Sequence, residues 1–262
     1  MGAFEFLILL GTGMVSGGLN AIVGGGSFLS FPVLIFLGIP PIEANATSTV
    51  ALWPGTCASL WAFRKELFNQ TRLMKFVIPL SFIGGGIGAL ILISLSNEHF
   101  ANIVPMMLIL ATCLFSFRDP IIRTFRRIPK EDASQPTAPT FFYWLMVIAT
   151  QLMISTYGGF FGAGMGILFM AFFSIIGIQN MHEINAIRNG SAACINSIAT
   201  VIFCMAHKVM WMQMVVMGTG AIVGGFLIAH YSRGIPSNLV RLGVIVASWS
   251  ITGYFLWKEW LQ

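Results

Sequence analysis

Charge is what this sequence has least of. Asp, Glu, Lys and Arg together make up 9 % of its 262 residues, whereas a soluble domain carries about 25 %. A water-facing surface of ordinary polarity cannot be built from so few charges, so the exterior must face something apolar. The hydrophobic content of 56 % and mean hydropathy of +0.84 agree. Cysteine is nearly as scarce: Cys57, Cys113, Cys194 and Cys204 lie inside apolar stretches without metal-ligand spacing. They imply neither a disulfide framework nor a metal centre, only small side chains packed between helices. His99, His182, His207 and His230 fall mostly near the ends of apolar runs, without partners by spacing. His182-Glu183 begins like a zinc-protease motif, but Ala186 stands where the second histidine would be, which discards that reading. With no nucleophile–base pair, nucleotide-binding motif or soluble domain to be read, the chain is expected to be neither an enzyme nor part of an ATP-driven pump. No cofactor or metal is expected. The formal net charge of +5 sits in loops flanking apolar runs rather than in a basic stripe, which argues against a nucleic-acid partner.

What remains is apolar length. A spanning helix needs about 20 residues, and eight apolar runs are candidate spans: Phe4–Val23, Ile42–Phe63, Lys75–Leu95, Asn102–Phe117, Thr140–Phe161, Glu183–Ala206, Met210–Tyr231 and Leu239–Trp257. Met1–Val23 has neither a basic n-region nor a small-residue cleavage site, so it reads as a retained span. Two further pieces, Phe28–Leu37 and Ile167–Ile176, are near half a bilayer long at about 1.5 Å per residue. Each follows glycines and precedes Gly-Ile, the pattern of a discontinuous or re-entrant helix. The expected fold is an all-α polytopic membrane protein.

Positive charge orients it. Arg64, Lys65, Arg72 and Lys75 form one basic loop; Arg118, Arg123, Arg126, Arg127 and Lys130 form another. Two spans separate the loops, so both lie on one side, which the positive-inside rule makes cytoplasmic. Ser96-Asn97-Glu98-His99 is then external.

The hydrophilic stretch 129–139 divides the chain into 1–128 and 140–262, two expected repeats of about four spans each. The first half reads Gly24-Gly25-Gly26-Ser27, a short apolar piece, Gly38-Ile39, then Glu43-Ala44-Asn45-Ala46. The second reads Gly162-Ala163-Gly164, a short apolar piece, Gly177-Ile178, then Glu183-Ile184-Asn185-Ala186. The Gly-Ile pairs stand 139 residues apart (38 to 177) and the Asn-Ala pairs 140 apart (45 to 185). Gly84-Gly85-Gly86 has its counterpart in Gly224-Gly225. Charge does not decide whether the halves are parallel or inverted.

A helix broken within a membrane leaves unpaired N–H groups at its new N-terminus, which favour an anion. Unwound backbone at that depth is tolerated only inside protein or beside a water-filled cavity, and glycine lets a ligand approach the main chain. Paired breaks at matching positions are therefore the strongest pointer to a transport site, against the plainer reading that small residues only let helices pack closely. The candidate ligand residues are Gly24, Gly25, Gly26, Ser27, Gly162 and Gly164 at the breaks. Asn45, Thr47, Ser48, Asn185, Arg188 and Asn189 follow them on the long spans. Amides and hydroxyls donate to oxyanions. Arg188 stands several residues inside an apolar span, where a cation is costly and functional by default, and its donor fork suits a multi-oxygen anion. Glu43 and Glu183 occupy matching positions, as proton-coupling groups or, more simply, as helix N-terminal carboxylates.

The pattern Asn20-Ala21-Ile22-Val23-Gly24-Gly25-Gly26-Ser27, Pro32 in the short helix, Gly38-Ile39-Pro40-Pro41 and Asn45-Ala46-Thr47-Ser48 resembles the sulfite exporter TauE/SafE family, also called the four-toluene-sulfonate uptake permeases. Gly162–Gly166 and Asn185–Asn189 give a weaker echo. The resemblance implies a multi-pass inner-membrane permease, built of two repeats, for sulfite or a short organosulfonate by alternating access. Other small anions (sulfate-like, thiosulfate, carboxylate) are the alternative, and a non-transporting structural protein a lesser one. Members of this type often carry a basic residue in the first Asn-containing stretch; here Ser48 and Thr49 stand there, and Arg188 is the one cation of the pair. The expected partners are the small anion and the lipid bilayer, with homo-oligomerisation left open.

Overall fold

The computed structural model describes residues 2–22, 25–62, 71–117, 119–121, 124, 141–178, 180–231, 246, 249–250 and 253. Gly24, the linker 129–139 and most of the expected span Leu239–Trp257 lie outside them. The elements are α1 (Ala3–Ile22), α2 (Ser27–Phe36), α3 (Pro41–Ala62), α4 (Thr71–Ser94), α5 (Asn97–Ser116), α6 (Phe141–Phe160), α7 (Met165–Ile175), α8 (Met181–Met205) and α9 (Trp211–Tyr231). The described chain is an all-α, multi-pass membrane protein. Helices α1, α4, α5 and α6 are long and apolar enough to cross a bilayer. Their outer faces carry exposed Phe4, Leu7, Ile83, Leu90 and Met153, the side chains that lipid requires.

Two boundaries differ from the apolar runs. Helix α5 begins five residues earlier than Asn102 because Ser96 caps it, its Oγ accepting from the His99 N–H at 3.2 Å, which satisfies a donor that a helix start leaves open. Helix α4 extends back to Thr71, since polar residues can continue a helix beyond the hydrocarbon. The short helices end as the Gly-Ile pairs suggest. Gly38 and Gly177 have φ of +82° and +102°, and the following N–H groups reach back, Ile39 to the Leu34 carbonyl and Ile178 to that of Phe173. Both are left-handed glycine caps of one kind.

Association in lipid relies on close packing of small residues more than on hydrophobicity, and two helix pairs depend on it. Leu10 and Met14 of α1 meet Gly220 and Gly224 of α9, while Gly13 and Gly17 meet Met217 and Ala221. Residue numbers rise together, so α1 and α9 run the same way. On α4, Gly84 meets Leu152 and Ser155 of α6, and Gly88 meets Thr156 and Phe160, again a parallel pair. Thr47 meets Met210 and Ala51 meets Gly218, so α3 also runs with α9. Helix α8 reverses into α9 through the turn at Ala206–Met210. Two directions result: α1, α3 and α9 one way, α4, α6 and α8 the other. The packing pairs correspond between halves: α1 with α9 and α6 with α4, α2 with α3 and α7 with α8, α3 with α9 and α8 with α4, and α3 with α8.

Candidate functional site

The two least apolar helices, α3 and α8, are central and cross each other. Trp53 Nε1 donates to Ser197 Oγ at 2.8 Å, and Asn196 Nδ2 to Thr56 Oγ1 at 3.4 Å. Their polar side chains are tolerated because protein, not lipid, surrounds them. Beside this crossing lies a cavity of about 40 Å³. One water needs about 10–15 Å³ on this scale, so the space suits a few waters or one compact ion.

Four polar contributors come from α3 and α8 in matched pairs. Thr49 and Asn189 line the cavity, as do Thr56 and Asn196, and each pair is 140 residues apart. Leu52 and Ala192 repeat the relation at an apolar position. The first turns of both short helices also reach it, through Ser27 of α2 and through Met165 and Gly166 of α7. Asn20 enters from α1, and Gly158, Phe161 and Gly162 from the end of α6. The described lining thus holds amides, hydroxyls, two helix N-termini and one guanidinium, with no carboxylate.

That guanidinium is Arg188, eight residues into α8 and 4 % exposed, too enclosed to reach bulk water by stretching its stem. Its Nη2 donates to Asn189 Oδ1 at 3.1 Å, and Nη1 points at Met170 Sδ, 3.7 Å away. The neighbouring amide thereby fixes one arm of the fork.

Of the residues expected at the site, Ser27, Gly162, Arg188 and Asn189 line the cavity. The others do not. Gly25 and Gly26 are buried where a Cβ would lie 2.1 Å from Phe115 Cζ and 2.3 Å from the Ser16 carbonyl oxygen; they serve close packing at the first break. Gly164 holds a φ of +79° at the N-cap of α7, facing Leu114 and Ala111. Asn45 Nδ2 donates to the Phe160 carbonyl at 3.0 Å, Thr47 Oγ1 accepts from the Met210 N–H at 3.0 Å, and Ser48 Oγ pairs with Ser30 Oγ at 2.6 Å. Asn185 is half-buried away from the lining. Glu43 is ion-paired to Lys208, and Glu183 Oε1 accepts from Asn180 Nδ2 at 3.5 Å; neither faces the cavity.

Sequence reasoning passed over Asn20, Thr49, Thr56 and Asn196 as lining residues. A signal existed: positions 49 and 56 are polar, and so are their counterparts at 189 and 196.

A family model described as Sulfite exporter TauE/SafE matches residues 9–255. A protein named "Probable membrane transporter protein" from Haemophilus influenzae is 28 % identical, covering 96 % of this chain and 94 % of its own. "Probable membrane transporter protein ORF9" of a Sinorhizobium species is 23 % identical over 94 % and 90 % of the two chains. "Probable membrane transporter protein YfcA" of Escherichia coli K12 is 24 % identical over 92 % and 86 %. No solved structure matches.

Proposed function

The chain belongs to the TauE/SafE sulfite exporter family, whose similar members are named as membrane transporters, and from that premise we propose that it is a secondary permease for sulfite or a short organosulfonate. The substrate sits in the α3–α8 cavity and moves by alternating access. Arg188 carries this reading: a guanidinium 4 % exposed lines a polar cavity deep in an apolar chain, and an ionisable group at that depth points to function. The fork supplies charge-assisted donors to two oxygens of the anion. Asn189, Ser27 and Asn196 offer neutral donors around it, and the N-termini of α2 and α7 add about half a positive charge each.

The helix directions support two inverted halves. Matched helices run oppositely, α1 against α6, α3 against α8 and α4 against α9. Inverted repeats give a transporter two related closures around one fixed midplane site, and the paired lining residues suit a cavity on the axis relating them. Glu43 and Glu183 fit structural roles at the starts of α3 and α8 better than proton relay, because both lie outside the lining.

Purified protein in proteoliposomes is expected to carry sulfite, and flux of sulfite, thiosulfate, sulfate, sulfoacetate and taurine ranks the substrates. Arg188→Ala should abolish flux while leaving a monodisperse, membrane-inserted protein. Normal flux in that variant would remove Arg188 from the site, and flux of none of the five anions would remove the substrate class.

A further inference from the structure

A second polar cluster lies below the cavity, in the first two turns of α3. Glu43 Oε1 accepts from Lys208 Nζ at 2.8 Å, and Oε2 accepts from Asn97 Nδ2 at 3.1 Å. Asn97 Oδ1 in turn accepts from the Ile42 N–H at 2.9 Å. One turn on, Asn45 holds the Phe160 carbonyl and Thr47 the Met210 N–H. Glu43, Asn45 and Thr47 belong to the first half, whereas Lys208, Phe160 and Met210 belong to the second. The cavity begins at the next such position, Thr49, about 9 Å along the helix from Glu43. Beside these bonds stands a group of rings: Phe31 packs edge-on against Phe161 at 5.3 Å and against Phe100 at 6.3 Å, and Phe100 against Phe160 at 5.6 Å. Phe31 and Phe100 are fully buried, while Phe161 also lines the cavity.

We propose that this cluster is a gate: a polar clasp, Glu43–Lys208–Asn97, backed by an aromatic plug, which closes the cavity at the end carrying the Leu95–Ser96 turn. It must part for the anion to enter or leave on that side. The positive-inside assignment makes that side external, so this conformation is closed to the outside. The clasp is built to open. Lys208 and Glu43 side chains are 32 % and 12 % exposed, so water can take over as the pair separates; a wholly buried pair would leave a stranded charge. Lys208 is presented by the tight turn after α8, in which His207 takes a φ of +55° and the Lys208 N–H returns to the Phe203 carbonyl.

The proposal rests on the permease reading, but its test needs no transport. Thr49→Cys is made in full-length protein whose four native cysteines are replaced by alanine, and a membrane-impermeant methanethiosulfonate is applied from either face. External labelling should be slow with the clasp intact. Lys208→Met should speed it roughly fivefold by weakening the closed state, Asn97→Ala should shift it in the same direction, and Glu43→Lys with Lys208→Glu should restore the slow rate. Unchanged external labelling in both single variants overturns the gate, and so does an equal rise from both faces, which reports general loosening. If labelling behaves as expected while no anion is carried, the gate stands and the permease reading falls. Arg188-dependent flux with labelling indifferent to the clasp has the opposite consequence.

Discussion

Arg188 and Asn196 line the same cavity but differ in how visible each is in the sequence. An arginine within an apolar run announces itself, because a cation at membrane depth costs several kcal/mol unless something requires it. Asn196 does not, since neutral polar side chains in membrane helices serve equally well as interhelical glue. Its amide shows both uses: Nδ2 bonds Thr56 across the α3–α8 crossing at 3.4 Å, and the residue lines the cavity. Asn196→Ala should therefore weaken anion binding by about 1 kcal/mol, the typical net value of one hydrogen bond, which is roughly fivefold in KM. It should leave maximal flux much less affected than Arg188→Ala does. Concentration-dependent flux separates the two, and an unchanged KM would show Asn196 to be glue alone. The glycines Gly25 and Gly26 were legible as a break, but their service to Phe115 and Ser16 was not, because close approach depends on what lies opposite.

At the scale of the helix, the short elements were the most readable. Half-bilayer length, glycines before and Gly-Ile after are local properties, and the caps at Gly38 and Gly177 follow from them. The glycine contacts of α1 and α9 were less so. Gly13 and Gly17 stand one turn apart on one face, as do Gly220 and Gly224, yet nothing in either run names its partner. A Cβ on Gly17 would lie 2.0 Å from the Ala221 carbonyl oxygen, and one on Gly224 1.9 Å from that of Met14. Gly17→Val should force the pair apart and cost about 2 kcal/mol, read as a lower midpoint of thermal unfolding in detergent. Gly11, in the same helix with nothing within 4 Å of its Cβ position, is the control: Gly11→Ala should be neutral or stabilising by up to about 1 kcal/mol. Equal losses from both substitutions would show that close packing against α9 is not what makes Gly17 sensitive.

For the whole molecule, the directions of the helices place the α4–α5 turn and the α8–α9 turn at one end, and the starts of α6 and α8 at the other. Glu98→Cys and His207→Cys are therefore expected to react with an impermeant thiol reagent from one face of the membrane, and Phe117→Cys and Asn180→Cys from the opposite face. All four positions are exposed. Labelling of Glu98→Cys and Asn180→Cys from the same face would rule out the inverted arrangement. Charge could not decide this beforehand, because the second half carries only His207, Lys208 and Arg233 in its internal loops.

Lipid acts on each residue of a run separately, so the sequence by itself determined that the chain spans a membrane, roughly where the described helices lie, and where two of them are halved. Those are properties of composition and local order. Which helices run together, and which polar groups share one cavity, were decided only in the tertiary structure. Glycine faces choose partners about 65 to 210 residues away, and only that choice brings Thr49 and Thr56 opposite Asn189 and Asn196. Of the twelve expected ligand residues, one lies outside the described chain, four meet in the cavity, and Gly25, Gly26, Gly164, Asn45, Thr47 and Ser48 close helix contacts around it. Hydrogen-bonding capacity is written in a residue's identity; the direction in which it is spent depends on what packing places across from it.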